Sequence, residues 1–142
     1  MDMKKLFVTL VSIVAFSGLV FGQEAPAAKE NKNAPEIVFT SEVHDFGTIP
    51  YEGDGTYVFE FKNTGKEPLV LNDVHSSCGC TTPEWPKEPI KRGEKGKITV
   101  KYNTKIMGPF TKNVYVTSNA QTSRVTLTIK GTVSDKKTLS SN

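Results

Sequence analysis

The sequence predicts an all-β domain, a sandwich of about seven antiparallel strands behind an N-terminal signal peptide. Three observations predict it. Apolar residues alternate with polar ones at period two, helical spacing is absent, and glycine, proline and asparagine punctuate the chain at short intervals. Successive side chains of a strand leave on opposite faces, so a sheet with one face on a core and one in water alternates in this way.

At the N-terminus, Lys4 and Lys5 give a positive start, and Leu6 to Phe16 is an apolar run broken by Thr9 and Ser12. Val20-Phe21-Gly22 then places compact residues before Gln23. This order reads as a secretory signal, residues 1–22, cut before Gln23. The apolar stretch is shorter than the roughly 18–20 residues a spanning helix needs, so no membrane attachment is expected after cleavage. Residues 23–34 carry no aliphatic side chain larger than alanine and read as a disordered leader. The sandwich is expected over 35–134, and a flexible tail over 135–142. The expected compartment is the periplasm or the cell exterior.

Within the domain, Glu36 to Thr40 is a short apolar strand through Ile37, Val38 and Phe39. His44 and Asp45 lie on an extended segment ahead of a turn at Gly47. Tyr57, Phe59 and Phe61 form an inner aromatic row. Leu69 to Val74 is apolar on both faces as far as Asn72, which predicts a strand either buried on both sides or bulged. Ile98, Val100 and Tyr102 point inward between lysines and a threonine, and Val114 and Val116 repeat the pattern. Val125, Leu127 and Ile129 do so again between Arg124 and Lys130. Turn signals stand at Asn63-Thr64-Gly65, Lys91-Arg92-Gly93, Met107-Gly108-Pro109 and Ser118-Asn119-Ala120. About seven short strands at this turn-punctuated spacing read as a sandwich or barrel. The only cysteines, Cys78 and Cys80, are too close in sequence to bridge two sheets, and Trp85 sits in a loop with Pro83, Pro86 and Pro89. The sheets are therefore expected to hold together by apolar packing alone.

Charge is unevenly placed. Residues 23–85 carry four lysines and eleven acids, net −7, whereas residues 86–112 carry eight bases and two acids, net +6. Opposite signs meeting across paired strands would produce this pattern. So would a bipolar molecule that docks head to tail or steers an acidic partner. The basic residues lack interleaved exposed aromatics, so no nucleic-acid surface is expected.

His44-Asp45-Phe46-Gly47-Thr48-Ile49, Phe61-Lys62-Asn63-Thr64-Gly65 and Pro68-Leu69 recur as a set with Ser77-Cys78-Gly79-Cys80-Thr81, Pro83-Glu84-Trp85-Pro86, Gly93-Glu94-Lys95-Gly96, Ser118-Asn119 and Gly131. On these motifs the chain, from about Phe39 to Val133, resembles the bacterial domain of unknown function 1573 (DUF1573) family, small exported proteins of Bacteroidetes. The resemblance implies an immunoglobulin-like module related to domains of sperm and ciliary scaffold proteins, and an exported location. It implies no activity.

Cys78-Gly79-Cys80 is the sharpest chemical feature, and three readings of it stand. The pair can close as a disulfide, since alternate residues around a glycine bring their Cα atoms near 5.5–6 Å, a workable separation. Two thiolates can instead hold a soft metal, Cu(I) or half of a zinc site, with His75 as a possible third ligand, His44 as a fourth and Met107 as a soft neighbour. His75 lies outside the family motif, so the metal reading rests on the cysteines. A redox-active pair needs a helix N-terminus to lower the thiol pKa, and no helix follows. His44 and Asp45 point to opposite faces of a strand and make no catalytic pair; Asp45 is expected to cap the Gly47 turn and His44 to lie on the surface. Serine nucleophile motifs, phosphate loops and acidic metal clusters are absent from the sequence. Trp85 is the candidate partner-binding residue, either a lid over the sandwich end or an aromatic displayed for a partner.

The sequence is thus read as a non-catalytic exported module, without cofactor, that binds another protein or envelope component. A Cu(I)- or zinc-binding protein using Cys78 and Cys80, and a thiol-disulfide redox protein, are the alternatives.

Overall fold

Period-two alternation resolves into eight strands in a computed structural model that describes residues 31–135. They are β1 (Ile37–Phe39), β2 (Val43–Pro50), β3 (Thr56–Asn63), β4 (Leu71–Ser76), β5 (Thr81–Glu84), β6 (Lys95–Tyr102), β7 (Gly108–Ser118) and β8 (Arg124–Ser134). One sheet has the order β1-β3-β6-β5 and the other β2-β8-β7-β4. Phe59, Phe61, Ile98 and Val100 of the first sheet meet Val74, Val114, Val116, Leu127 and Ile129 of the second in a buried core. Apart from Val74, these belong to the inner rows expected from the sequence, and the sandwich class holds.

Two details of the expected architecture need correction. The described residues form eight strands, because Thr81–Glu84 pairs with β6 where a loop was expected. Its residues are polar and include Pro83, so no apolar alternation marks it. Thr82 and Glu84 sit opposite Lys101 and Thr99 in the bonded positions, and the missing N–H of Pro83 faces away from β6, where an edge strand tolerates it. The strands are also not all antiparallel, for β2 runs parallel to β8. After β1 the chain leaves its sheet at Thr40–Glu42 and settles beside the last strand, where the Glu42 carbonyl accepts from Thr128 N–H at 2.7 Å. A bulge between Asp45 and Thr48 re-aims β2, with Gly47 at φ 63° and its N–H donating to Asp45 Oδ1 at 2.8 Å. The turn-capping role expected of Asp45 is this contact.

Leu69–Val74 follows the bulged alternative. Leu69 bridges to Ile90, and the β4 register against β7 shifts between Leu71 and Asp73. The signal segment 1–22, leader residues 23–30 and tail residues 136–142 lie outside the described residues. The last leader residues, 31–34, make a turn against the β3–β4 connection, with the Asn33 carbonyl accepting from Glu67 N–H at 3.1 Å. Gly65 allows that approach: a Cβ there would lie 2.4 Å from the Ala34 carbonyl oxygen.

Apolar packing is reinforced by two asparagines. Asn63, fully buried, accepts at Oδ1 from Gly65 N–H (3.0 Å) and Glu36 N–H (3.3 Å), and donates from Nδ2 to the carbonyls of Glu67 (2.8 Å) and Ile90 (3.0 Å). Asn119 accepts from Val70 N–H at 2.7 Å and donates to the Pro68 carbonyl at 3.1 Å. Each ties loops distant in sequence.

Candidate binding site around strand β5

Strand β5 begins at the cysteine turn and ends at Trp85, so both features singled out in the sequence flank one short edge strand. The turn lies where the chain passes from the second sheet, through β4, to the first, through β5. Cys78 and Cys80 are bonded to each other as a disulfide, with Cα atoms 5.3 Å apart. The bond therefore clamps the crossover between sheets, though it spans no sheet pair itself. Backbone contacts hold the turn on both sides: Ser77 N–H donates to the Asn113 carbonyl at 2.9 Å, and Asn103 N–H to the Cys80 carbonyl at 2.8 Å. The Ser76 hydroxyl lies against the carbonyls of Cys78 and Thr81, the latter at 2.7 Å. Gly79 is exposed, and a Cβ there would meet nothing within 4 Å. A sulfur in a disulfide is not a thiolate and cannot serve as a metal ligand, so metal binding here would first require reduction.

The histidines are occupied elsewhere. His75 Nδ1 lies 2.6 Å from Asp73 Oδ2, and its ring packs on Tyr115 with centroids 5.3 Å apart. His44 is not a free surface residue. It is half-buried, stacked on Tyr57 and edge-on to Phe46, and loss of solvation pushes its pKa below the ordinary value while Asp45 pulls it back. Among the described residues no three of His, Cys, Asp and Glu converge as a metal site. Met107 is 47% exposed in the β6–β7 connection.

Trp85 packs against the core as a lid, as one of the two expected alternatives had it. Lys87 covers its outer face, with Nζ 3.1 Å from the ring centroid. The indole N–H is buried without an acceptor among the described residues. Beside the ring runs an open groove of about 480 Å³, lined by Trp85, Ile90, Lys95, Gly96 and Lys97 among others. It exists because β5 stops early. Continuing the register from Glu84↔Thr99 would set Pro86 opposite Lys97, and Pro86 has no N–H to give. The sequence marked Trp85 and its prolines but not Lys95, Lys97 or Ile90, which join the site only because β6 lies beside β5.

At the other end of β5, a second hollow of about 360 Å³ lies between Gly79, Cys80, Thr82, the β6 residues Lys101 and Tyr102, and Asn103 just beyond them. Tyr102 forms its floor, stacked on Phe110 at 3.8 Å, and burial raises its pKa. Among the described residues no helix is long and apolar enough to cross a membrane.

The family model described as protein of unknown function (DUF1573) matches residues 37–133. Among curated proteins, none matches the sequence. Solved structures do. A protein of unknown function from Porphyromonas gingivalis W83 superposes with a TM-score of 0.65 at 18% identity. The match covers 77% of this chain and 51% of that one, so the present chain spans about half the length of the Porphyromonas protein. The ASH/PapD-like domain 7 of human CEP192 superposes with a TM-score of 0.61 at 8% identity, over 95% of this chain and 97% of that one. The VesB protease of Vibrio cholerae does so at 0.56 and 14% identity, over 72% of this chain and 33% of the protease. At these identities the likeness is one of fold.

Proposed function

The chain belongs to the DUF1573 family, and from that premise we propose that it is a non-catalytic exported module of the bacterial envelope that binds another protein at the Trp85 end of β5. The observation that carries this reading is the groove itself. A rigidly mounted aromatic, backed by core and flanked by Lys87, Lys95 and Lys97, borders a stretch of strand that its neighbour leaves uncovered. Tryptophan in such a setting is the kind of anchor on which interface energy concentrates. Export is supported by the signal pattern of residues 1–22, and an oxidised cysteine pair fits an oxidising compartment.

The test is site-specific photo-crosslinking in cells, with the probe at Lys97 and, as a control, at Thr128 on the opposite sheet. A discrete protein adduct in the envelope fraction from position 97, absent from 128, supports the reading. Equal patterns from both positions, or a chain retained in the cytoplasm with residues 1–22 intact, overturn it.

A thiol-disulfide function is the second reading. It is favoured by the exposed Gly79, which leaves the half-buried disulfide open to an attacking thiol from outside. Catalysed reduction of insulin by the wild type, lost in Cys78→Ser, would decide for it.

A further inference from the structure

The register of the first sheet says which backbone groups line the groove. Glu94 O accepts from Asn63 N–H, and Tyr102 N–H donates to Gly55 O, so the even-numbered residues of β6 bond to β3. Its odd-numbered residues present N–H and C=O to the other side. Asn103 uses its N–H on Cys80 O, and Lys101 and Thr99 face Thr82 and Glu84. At Lys97 and Lys95 the partner strand has gone. Their main-chain groups point into the groove as a stretch of edge unpaired among the described residues, the kind of template that accepts an added strand.

Side chains on that stretch specify what could be added. Lys95 stands directly opposite Lys62 on β3, a like-charge pair that an antiparallel sheet disfavours, and neither takes part in an ion pair among the described residues. Lys97 has Glu60 at 3.4 Å on the β3 side and no partner strand on the other. A strand laid along β6 would put two residues, two apart in sequence, against Lys97 and Lys95 on the outer face. The residue between them would turn toward Ile90 and Trp85.

We infer that the groove takes an extended acidic segment of a partner protein, with carboxylates at alternate positions and an apolar residue between them, added to the first sheet at Lys95–Lys97. This rests on the binding-module reading and names the partner's chemistry. The occupant follows from charge complementarity together with the open edge. A purely ionic surface would not ask for backbone pairing, and a purely apolar groove would not be rimmed by Lys95 and Lys97, with Glu84 the one acidic residue that lines it.

Trp85 is the only tryptophan in the sequence and reports on the groove by its emission. The full exported chain is titrated with a capped eight-residue peptide alternating glutamate and valine, and with its lysine-valine counterpart. The glutamate peptide should shift the Trp85 emission and the Lys97 amide resonance, and the lysine peptide neither. The double substitution Lys95→Glu/Lys97→Glu should weaken the glutamate peptide by about tenfold and bring in the lysine peptide. Lys97→Pro should weaken binding about fivefold more than Lys97→Val, since it removes the free N–H as well as the charge while leaving the β3 ladder intact. Melting curves show that each variant is folded, and the charge-reversed variant's gain of the lysine peptide is a positive signal that misfolding cannot give. Equal binding of both peptides, or equal losses for the proline and valine variants, overturns strand addition by an acidic segment. If neither peptide binds while crosslinking at position 97 still captures an envelope protein, this inference falls and the binding module stands.

Discussion

The imidazole of His44 lies flat on the ring of Tyr57, with centroids 3.5 Å apart and planes 9° from parallel. His44 belongs to β2 and Tyr57 to β3, so the stack joins the second sheet to the first beside Phe46 and Phe59. Loss of solvation disfavours the imidazolium there, and the pKa is lowered although Asp45 opposes the shift.

A depressed folded-state pKa means that the neutral ring is favoured by folding. The associated stability is present above the unfolded value, near 6.5, and is lost as pH falls through the folded one. Urea melts of wild type and His44→Gln, compared between about pH 7 and about pH 5, should show the wild type losing ground to the variant as the solution is acidified. A constant difference across that window would mean that His44 titrates as it does in the unfolded chain.

Gly96 faces Phe61 across β3 and β6, and a Cβ at Gly96 would lie 2.2 Å from the tip of the Phe61 ring. Gly96→Ala should cost about 1–3 kcal/mol by forcing a buried ring from its place. Adding Phe61→Leu to Gly96→Ala should cost less than Phe61→Leu costs alone, because the methyl then occupies part of the cavity. Additive losses in the double-mutant cycle would refute the contact.

Asn63 satisfies four main-chain groups from inside the protein. Asn63→Ala leaves the N–H groups of Glu36 and Gly65 and the carbonyls of Glu67 and Ile90 without this partner. It should destabilise by about 2–4 kcal/mol, read from chemical denaturation. Asn63→Asp should be worse at neutral pH, since it turns a carboxylate oxygen toward two carbonyls in place of the amide donor. A loss below about 1 kcal/mol for alanine would show that water replaces the side chain at these groups.

These contacts mark where the sequence was readable and where it was not. Leu127 and Ile129 could be placed on the core from alternation alone, because burial on one face imposes period two. The Asn63-Thr64-Gly65 turn was also legible, but its ties to Glu36 and Ile90 join segments 27 residues away in either direction, and nothing local encodes them. Strand β5 was missed because Thr81-Thr82-Pro83-Glu84 has no apolar period; it forms because the cysteine turn delivers it to β6. The parallel placement of β2 was invisible for another reason: strand direction is set by the crossover from β1 and not by the pattern within Val43–Pro50. Of the candidate site, Trp85 and the cysteines could be named from the sequence. The lysines that rim the groove could be placed on an outer face but not beside Trp85.

The cysteine turn gives the last test. Replacing Cys78 and Cys80 with serine should leave the sandwich folded, because the turn is also held by Ser77 N–H to Asn113 O and by Asn103 N–H to Cys80 O. Neither bond uses a sulfur. The ring closed by the disulfide is too small to restrict the unfolded chain greatly, so the loss should be about 1–2 kcal/mol, or several degrees in melting temperature. Wild type treated with reductant should melt with the double variant, since both have lost the same covalent link. Added Cu(I) should leave the oxidised wild type unchanged, for neither bonded sulfur is a thiolate. If Cu(I) raises the melting temperature of reduced wild type but not of Cys78→Ser/Cys80→Ser, the reduced pair binds soft metal, because a ligand stabilises only the form that holds it. An unfolded double variant would show instead that the crossover depends on the disulfide, and that the two backbone bonds are insufficient to bring β5 to β6.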